Sequence, residues 1–123
     1  MDFLRRLFGR QTAPPKRLML AVAAVVPAQL DPEAMYEVDY RIEGREPLYV
    51  FSLTNDDRVR DATITLQQLE SWRLPGASVG IFENQTDIGR KVLARFSDHI
   101  GRQFSSLTGN EERIAGYIQA YMN

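Results

Sequence analysis

The sequence predicts an α+β fold: an antiparallel sheet of about three to four strands covered by C-terminal helices, preceded by a short amphipathic helix. Three observations predict it. "MYEVDYRI" alternates apolar and polar residues strictly, as a half-buried strand does. Ile88, Val92, Phe96, Ile100 and Phe104 recur every four residues, as one face of a long helix does. Strand-like segments gather early and helix-like ones late, the order of an α+β sandwich whose sheet is covered on one face. A chain of 123 residues is long enough to bury one core and crowded for two.

In chain order, Phe3, Leu4, Leu7 and Phe8 fall on one side of a helical wheel, with Asp2, Arg5, Arg6 and Arg10 on the other. Gly9 and Pro14-Pro15 stop that helix, so residues 1–16 read as a basic amphipathic helix plus linker, and 17–123 as a single α+β domain. The apolar run Leu18 to Val26 is too short for a bilayer, which needs roughly 20 residues, and reads as a buried strand rich in valine. Asp31-Pro32 is suited to start a short helix. Tyr36, Val38, Tyr40 and Ile42 then alternate with Glu37, Asp39, Arg41 and Glu43, and "LYVFSLT" follows after "EGREP". Residues 35–54 therefore predict a hairpin with one wet face.

Asp61 is the expected N-cap of a helix through "ATITLQQLESW", which Leu74-Pro75-Gly76 ends. "ASVGIFE" predicts a strand. The longest helix is expected from Asp87 to Leu107, with His99 at the border of its apolar stripe. Lys91, Arg95 and Arg102 make a basic line along that helix, with Asp98 spaced to pair with Arg95 and Arg102. Gly109-Asn110 breaks the helix, and a final amphipathic helix begins with Glu111 and Glu112 at its positive end.

Charge is unevenly spread. Residues 1–17 carry five cations against one acid, and residues 18–123 carry ten against fifteen. An acidic body disfavours nucleic acid, whose phosphates need a contiguous basic face. With no cysteine, thiolate nucleophiles, redox pairs and Cys-ligated zinc are excluded, and a single histidine excludes a His-based metal site. "NDDRVRD" groups Asp56, Asp57 and Asp61 but lacks the glycine and terminal glutamate of a calcium loop, so a turn and a helix cap explain it better. No serine sits in a nucleophile elbow, and "GASVG" matches neither a phosphate loop nor a dinucleotide fingerprint. Glu37 and Asp39 have the chemistry for acid/base work but lie on the polar face of a strand, where solvated charge is ordinary. No catalytic residue, cofactor or metal is expected.

The expected function is a small non-enzymatic protein-binding module of a bacterial cytoplasm, chaperone-like or an adaptor, acting on a protein partner or on a second copy as a dimer. Its order of elements is loosely similar to that of the small acidic chaperones of bacterial secretion systems. The candidate contact is the set Phe3, Leu4, Arg5, Arg6, Leu7, Phe8 and Arg10. Three other readings stand beside it. In the first, residues 1–10 tether the domain to an anionic membrane: burying four large side chains contributes about 6–12 kcal/mol. Ordering ten residues costs about the same, and each cation adds about 1 kcal/mol. In the second, residues 1–28 are a signal peptide cleaved after Ala28, which makes the product periplasmic. In the third, an enzyme assembles its site from distant segments around His99.

Overall fold

A computed structural model describes residues 38–42 and 46–122. The N-terminal amphipathic helix, the linker, the Leu18–Val26 strand, Asp31-Pro32 and the signal-peptide boundary all lie outside those residues. Four strands and three helices are described: β1 (Tyr40–Ile42), β2 (Leu48–Leu53), α1 (Asp56–Ser71), β3 (Ala77–Phe82), α2 (Arg90–Ser97), β4 (Arg102–Phe104) and α3 (Glu111–Met122). One 3-10 turn, Gln85–Asp87, precedes α2. The fold is α+β, as expected, and its sheet has the order β1-β2-β3-β4.

The sheet is mixed, not antiparallel. β1 pairs antiparallel with β2, Tyr40 opposite Val50, which is the predicted hairpin. β2 and β3 are parallel, Leu48 opposite Ala77 through Leu53 opposite Phe82, and β3 and β4 are parallel with Val79 opposite Arg102. The reason is geometric. Sixteen residues of α1 carry the chain back along the sheet, so β3 starts at the same end as β2. The strands advance one way across the sheet, so two crossovers of the usual hand put α1 and α2 on the same face.

Both faces are covered, which also corrects the expectation of a hairpin wet on one side. Leu48, Val50, Val79, Ile81 and Phe104 pack with Ile114 and Ile118 of α3. Tyr49, Phe51, Leu53 and Phe82 pack against Val59, Ala62, Leu66 and Leu69 of α1 and Phe96 of α2. Alternate residues of β2 therefore serve opposite cores, as the two-residue period of a strand requires. Gly80 belongs to this packing: a Cβ there would lie 2.6 Å from Cζ of Phe96, so the ring rests directly on the strand backbone.

The single helix expected over Asp87–Leu107 is three elements. α2 stops at Ser97, the chain turns through Asp98–Gly101, and β4 follows. The four-residue spacing persists because Ile88 and Phe96 fill the core on one face of the sheet while Phe104, on a strand, fills the other. Gly101 makes the break feasible, since a Cβ there would sit 2.9 Å from the Ser78 carbonyl oxygen of the neighbouring strand. Arg102 consequently lies on β4 rather than beside Lys91 and Arg95, and the three-residue basic line along a helix does not form.

Caps are also reassigned. Asn55, not Asp61, is the N-cap of α1, and its side-chain oxygen accepts from the Arg58 N–H at 2.9 Å. Asp61 has the chemistry of a cap but lies inside the helix, and the β-branched Thr63 and Thr65 that follow it are buried, with Thr63 Oγ1 donating back to the Val59 carbonyl. Glu111 and Glu112 do occupy the first turn of α3.

Candidate functional site

The two ends of the sheet are built differently. At the carboxyl ends of the parallel strands the loops hold one another. Asp56 Oδ1 accepts from the Gly89 N–H at 3.0 Å, tying the start of α1 to the start of α2. Asn84 caps the 3-10 turn, the Gln85 N–H donates to the Ser105 carbonyl at 2.8 Å, and Asn110 Nδ2 donates to the Ser106 carbonyl. Polar groups at that end are thus largely turned on each other.

The amino ends of the same strands frame a cleft of about 360 Å³, near the lower end of the range for small-ligand sites. Its floor is Ala77 and Ser78 of β3 and Gly101 before β4, with Tyr49 of β2 beside them. One wall is the C-terminal end of α1, including Leu66, Leu69 and Glu70; the other is Tyr117 and Tyr121 of α3. His99, in the turn after α2, completes it.

Local sequence explains how that wall is made. α1 ends in a Schellman turn: the Arg73 N–H donates to the Glu70 carbonyl at 3.0 Å and the Leu74 N–H to the Leu69 carbonyl at 3.1 Å. The position that usually holds glycine is Arg73, with φ of 55°. This turn sets Leu69, Glu70 and Leu74 side by side in the cleft. The Tyr49 hydroxyl donates to the Pro75 carbonyl at 3.4 Å, fastening the turn to β2.

His99 is neither on a helix nor isolated. Its Nδ1 lies 3.2 Å from Glu70 Oε1, and its Nε2 lies 3.3 Å from Gln67 Nε2. The contacts fit one tautomer, in which Nδ1–H donates to the carboxylate and Nε2 accepts from the amide. The His99 side chain keeps 25% of its exposure and that of Glu70 57%. Ser78 Oγ accepts from the Gly101 N–H at 2.8 Å, which places the hydroxyl in a structural contact between β3 and the turn.

The α3 wall is aromatic. Tyr117 and Tyr121 have ring centroids 5.5 Å apart, and the Arg102 guanidinium lies 5.0 Å from the centroids of both Tyr117 and Phe104. Burial, then the hydrogen bond to Tyr121, pushes the Tyr117 phenol up to about 12 despite the opposing field of Arg102. The ring therefore remains neutral and electron-rich on its face, which suits cations.

Of the residues weighed from sequence, Phe3, Leu4, Arg5, Arg6, Leu7, Phe8 and Arg10 lie outside the described residues. Asp56 bridges to Gly89, Asp57 pairs with Arg60 at 3.1 Å, and no group of three or more His, Asp or Glu among the described residues is placed to hold a metal. Asp39 accepts from the Ser52 N–H at 2.6 Å and pairs with Arg58, a structural tie between β1, β2 and α1. Sequence reasoning missed Glu70, Gln67, Tyr117 and Tyr121. Glu70 and Gln67 meet His99 only across 29 and 32 residues, and the sole local signal was the four-residue spacing of the two tyrosines, which reads equally well as a helix core face.

Comparison of the chain with protein-family models, with curated proteins and with solved structures finds no match. Among the described residues no helix is long and apolar enough to cross a membrane.

Proposed function

We propose that the chain is a small, non-enzymatic protein-binding module, an adaptor or chaperone-like protein, and that the cleft at the amino end of the sheet is its contact surface. The observation that carries this reading is the cleft's chemistry. Tyr117 and Tyr121 make its α3 wall, and tyrosine is among the residue types that concentrate binding energy at protein interfaces. His99, the one side chain there suited to proton transfer near neutral pH, has its free nitrogen occupied by Gln67. A small concave patch with aromatic anchors and a polar edge matches the centre of a protein contact.

The test is site-specific photo-crosslinking in cells producing the full chain, with the photoreactive residue at Tyr121 or, at the opposite end of the sheet, at Ser105. A discrete adduct from position 121 and none from 105 is the expected result. No adduct at 121, or equal adducts at both, would overturn the placement. A doubled chain mass in the adduct identifies a second copy as the partner.

A second reading rests on the charge of the N-terminal end. Five cations in residues 1–17, beside the apolar stripe Phe3, Leu4, Leu7 and Phe8, suit a salt-sensitive tether on anionic lipid. Co-sedimentation of full-length chain and residues 17–123 with anionic and neutral vesicles tests it. Binding of the full chain alone, to anionic vesicles alone and weakened by salt, supports the tether; equal binding by both forms sinks it.

A further inference from the structure

Resting on that reading, we infer that the cleft accepts a basic side chain of the protein partner, arginine or lysine, with Glu70 receiving its charge and the Tyr117–Tyr121 wall covering its stem and head. Three independent features of the cleft point to a cation.

The first is charge. Among the described residues that line the cleft Glu70 is the only one with a carboxylate and none is a lysine or arginine; the nearest guanidinium on the α3 side, Arg102, stacks on the Tyr117 ring. His99 touches the carboxylate through Nδ1 alone, at 3.2 and 3.4 Å to the two oxygens. A carboxylate has about four lone-pair directions, so acceptor capacity remains for an incoming donor. The Glu70 side chain lines the cleft and is 57% exposed, so that capacity is open to solvent.

The second is the wall. Tyr117 and Tyr121 both line the cleft, with ring centroids 5.5 Å apart and planes inclined by 55°, and tyrosine rings attract a guanidinium or ammonium. The molecule already uses this interaction on the same ring, with Arg102 at 5.0 Å from the Tyr117 centroid. The neutral phenol of Tyr117 persists through the physiological range, so the wall brings no competing negative charge.

The third is shape. A volume of about 360 Å³ floored by Ala77, Ser78 and Gly101 has room for one long side chain and the backbone beside it, and not for a folded surface. Leu66, Leu69 and Leu74 supply an apolar lining for methylenes, the part of lysine and arginine that packs against carbon while the head stays polar. An acidic partner side chain would be repelled by Glu70, and a purely apolar one would desolvate that carboxylate while adding no donor to the one contact from His99.

The test is an amide-resolved NMR titration of the full chain with N-acetyl-arginine methylamide, and in parallel with the neutral, similarly long N-acetyl-norleucine methylamide. Expected are saturable shifts at Ser78, His99, Gly101 and Tyr121 with arginine. Norleucine should bind at least fivefold more weakly, and Glu70→Gln should remove that preference without moving the melting temperature. Tyr121→Leu should weaken arginine and leave norleucine unchanged. Equal binding of the two probes, retention of the preference in Glu70→Gln, or no shifts at the cleft with either probe would overturn the basic-side-chain assignment. Crosslinking at position 121 is decided separately, so an adduct there alongside a failed titration means that the cleft is an interface of different chemistry.

Discussion

The carboxyl end of the sheet and its amino end are made from the same three parallel strands, yet among the described residues the first is tied together by its loops and the second carries a cleft. In α/β sheets ligands ordinarily gather beyond the carboxyl ends of the strands. Here the loops at that end spend their polar groups on each other: Asn55 on Arg58, Asp56 on Gly89, Gln85 on Ser105, Asn110 on Ser106. The amino end carries a cleft instead, because α1 ends in a turn that folds Leu74 back and α3 brings two tyrosines down beside it. Open space therefore follows from where the caps go, not from strand direction alone.

The strongest way to break the contrast is to hollow the closed end. Phe82, the last residue of β3, is fully buried and meets Phe96 edge to face at 5.6 Å. Phe82→Ala should cost about 3–5 kcal/mol by chemical denaturation, far more than any single change at the cleft. Next come the two turns of α1, which should respond in opposite senses. Asn55→Ala removes the cap at the closed end and should destabilise by about 1 kcal/mol. Arg73→Gly relieves a left-handed backbone at the cleft and should stabilise by about 1 kcal/mol. Denaturant midpoints with unchanged slopes would report both, and no gain from Arg73→Gly would show that Arg73 is held by more than its backbone.

Smaller still is Glu70→Gln. Its carboxylate is mostly exposed, so stability should change by less than about 0.5 kcal/mol while partner capture at position 121 falls. Tyr117→Phe is the finest probe and acts through pH. The folded phenol titrates at about 12, above its ordinary value of 10.0, so the fold favours the protonated form. That contribution is whole below pH 10 and disappears as pH rises from 10 to 12. Wild type should lose stability across that window more steeply than Tyr117→Phe, and parallel curves would remove the phenol from the account.

Much of the fold was legible because the signals were local. The alternation before Ile42 and the apolar "LYVFSLT" both became strands, and their antiparallel pairing followed from the short loop between them. Strand direction beyond that pair was missed, although the helix read between "LYVFSLT" and "ASVGIFE" already implied a parallel return. The Asp87–Leu107 stripe misled because a four-residue spacing does not distinguish a continuous helix from a short helix, a glycine-containing turn and a strand. The cleft was illegible for a different reason. His99 could be singled out as the one histidine, but its partners are set by tertiary packing of α1 against the turn after α2, which no local pattern encodes.

Gly80 and Phe96 carry one more consequence. Because the aromatic ring lies where a Cβ would stand, the two positions share a single allotment of volume. Any path of sequence drift must then change them together: a methyl at 80 becomes tolerable only after the ring at 96 has shrunk. A library randomised at both codons and selected for folding should recover pairs whose sizes vary inversely, and a large residue at both positions should be the combination it lacks.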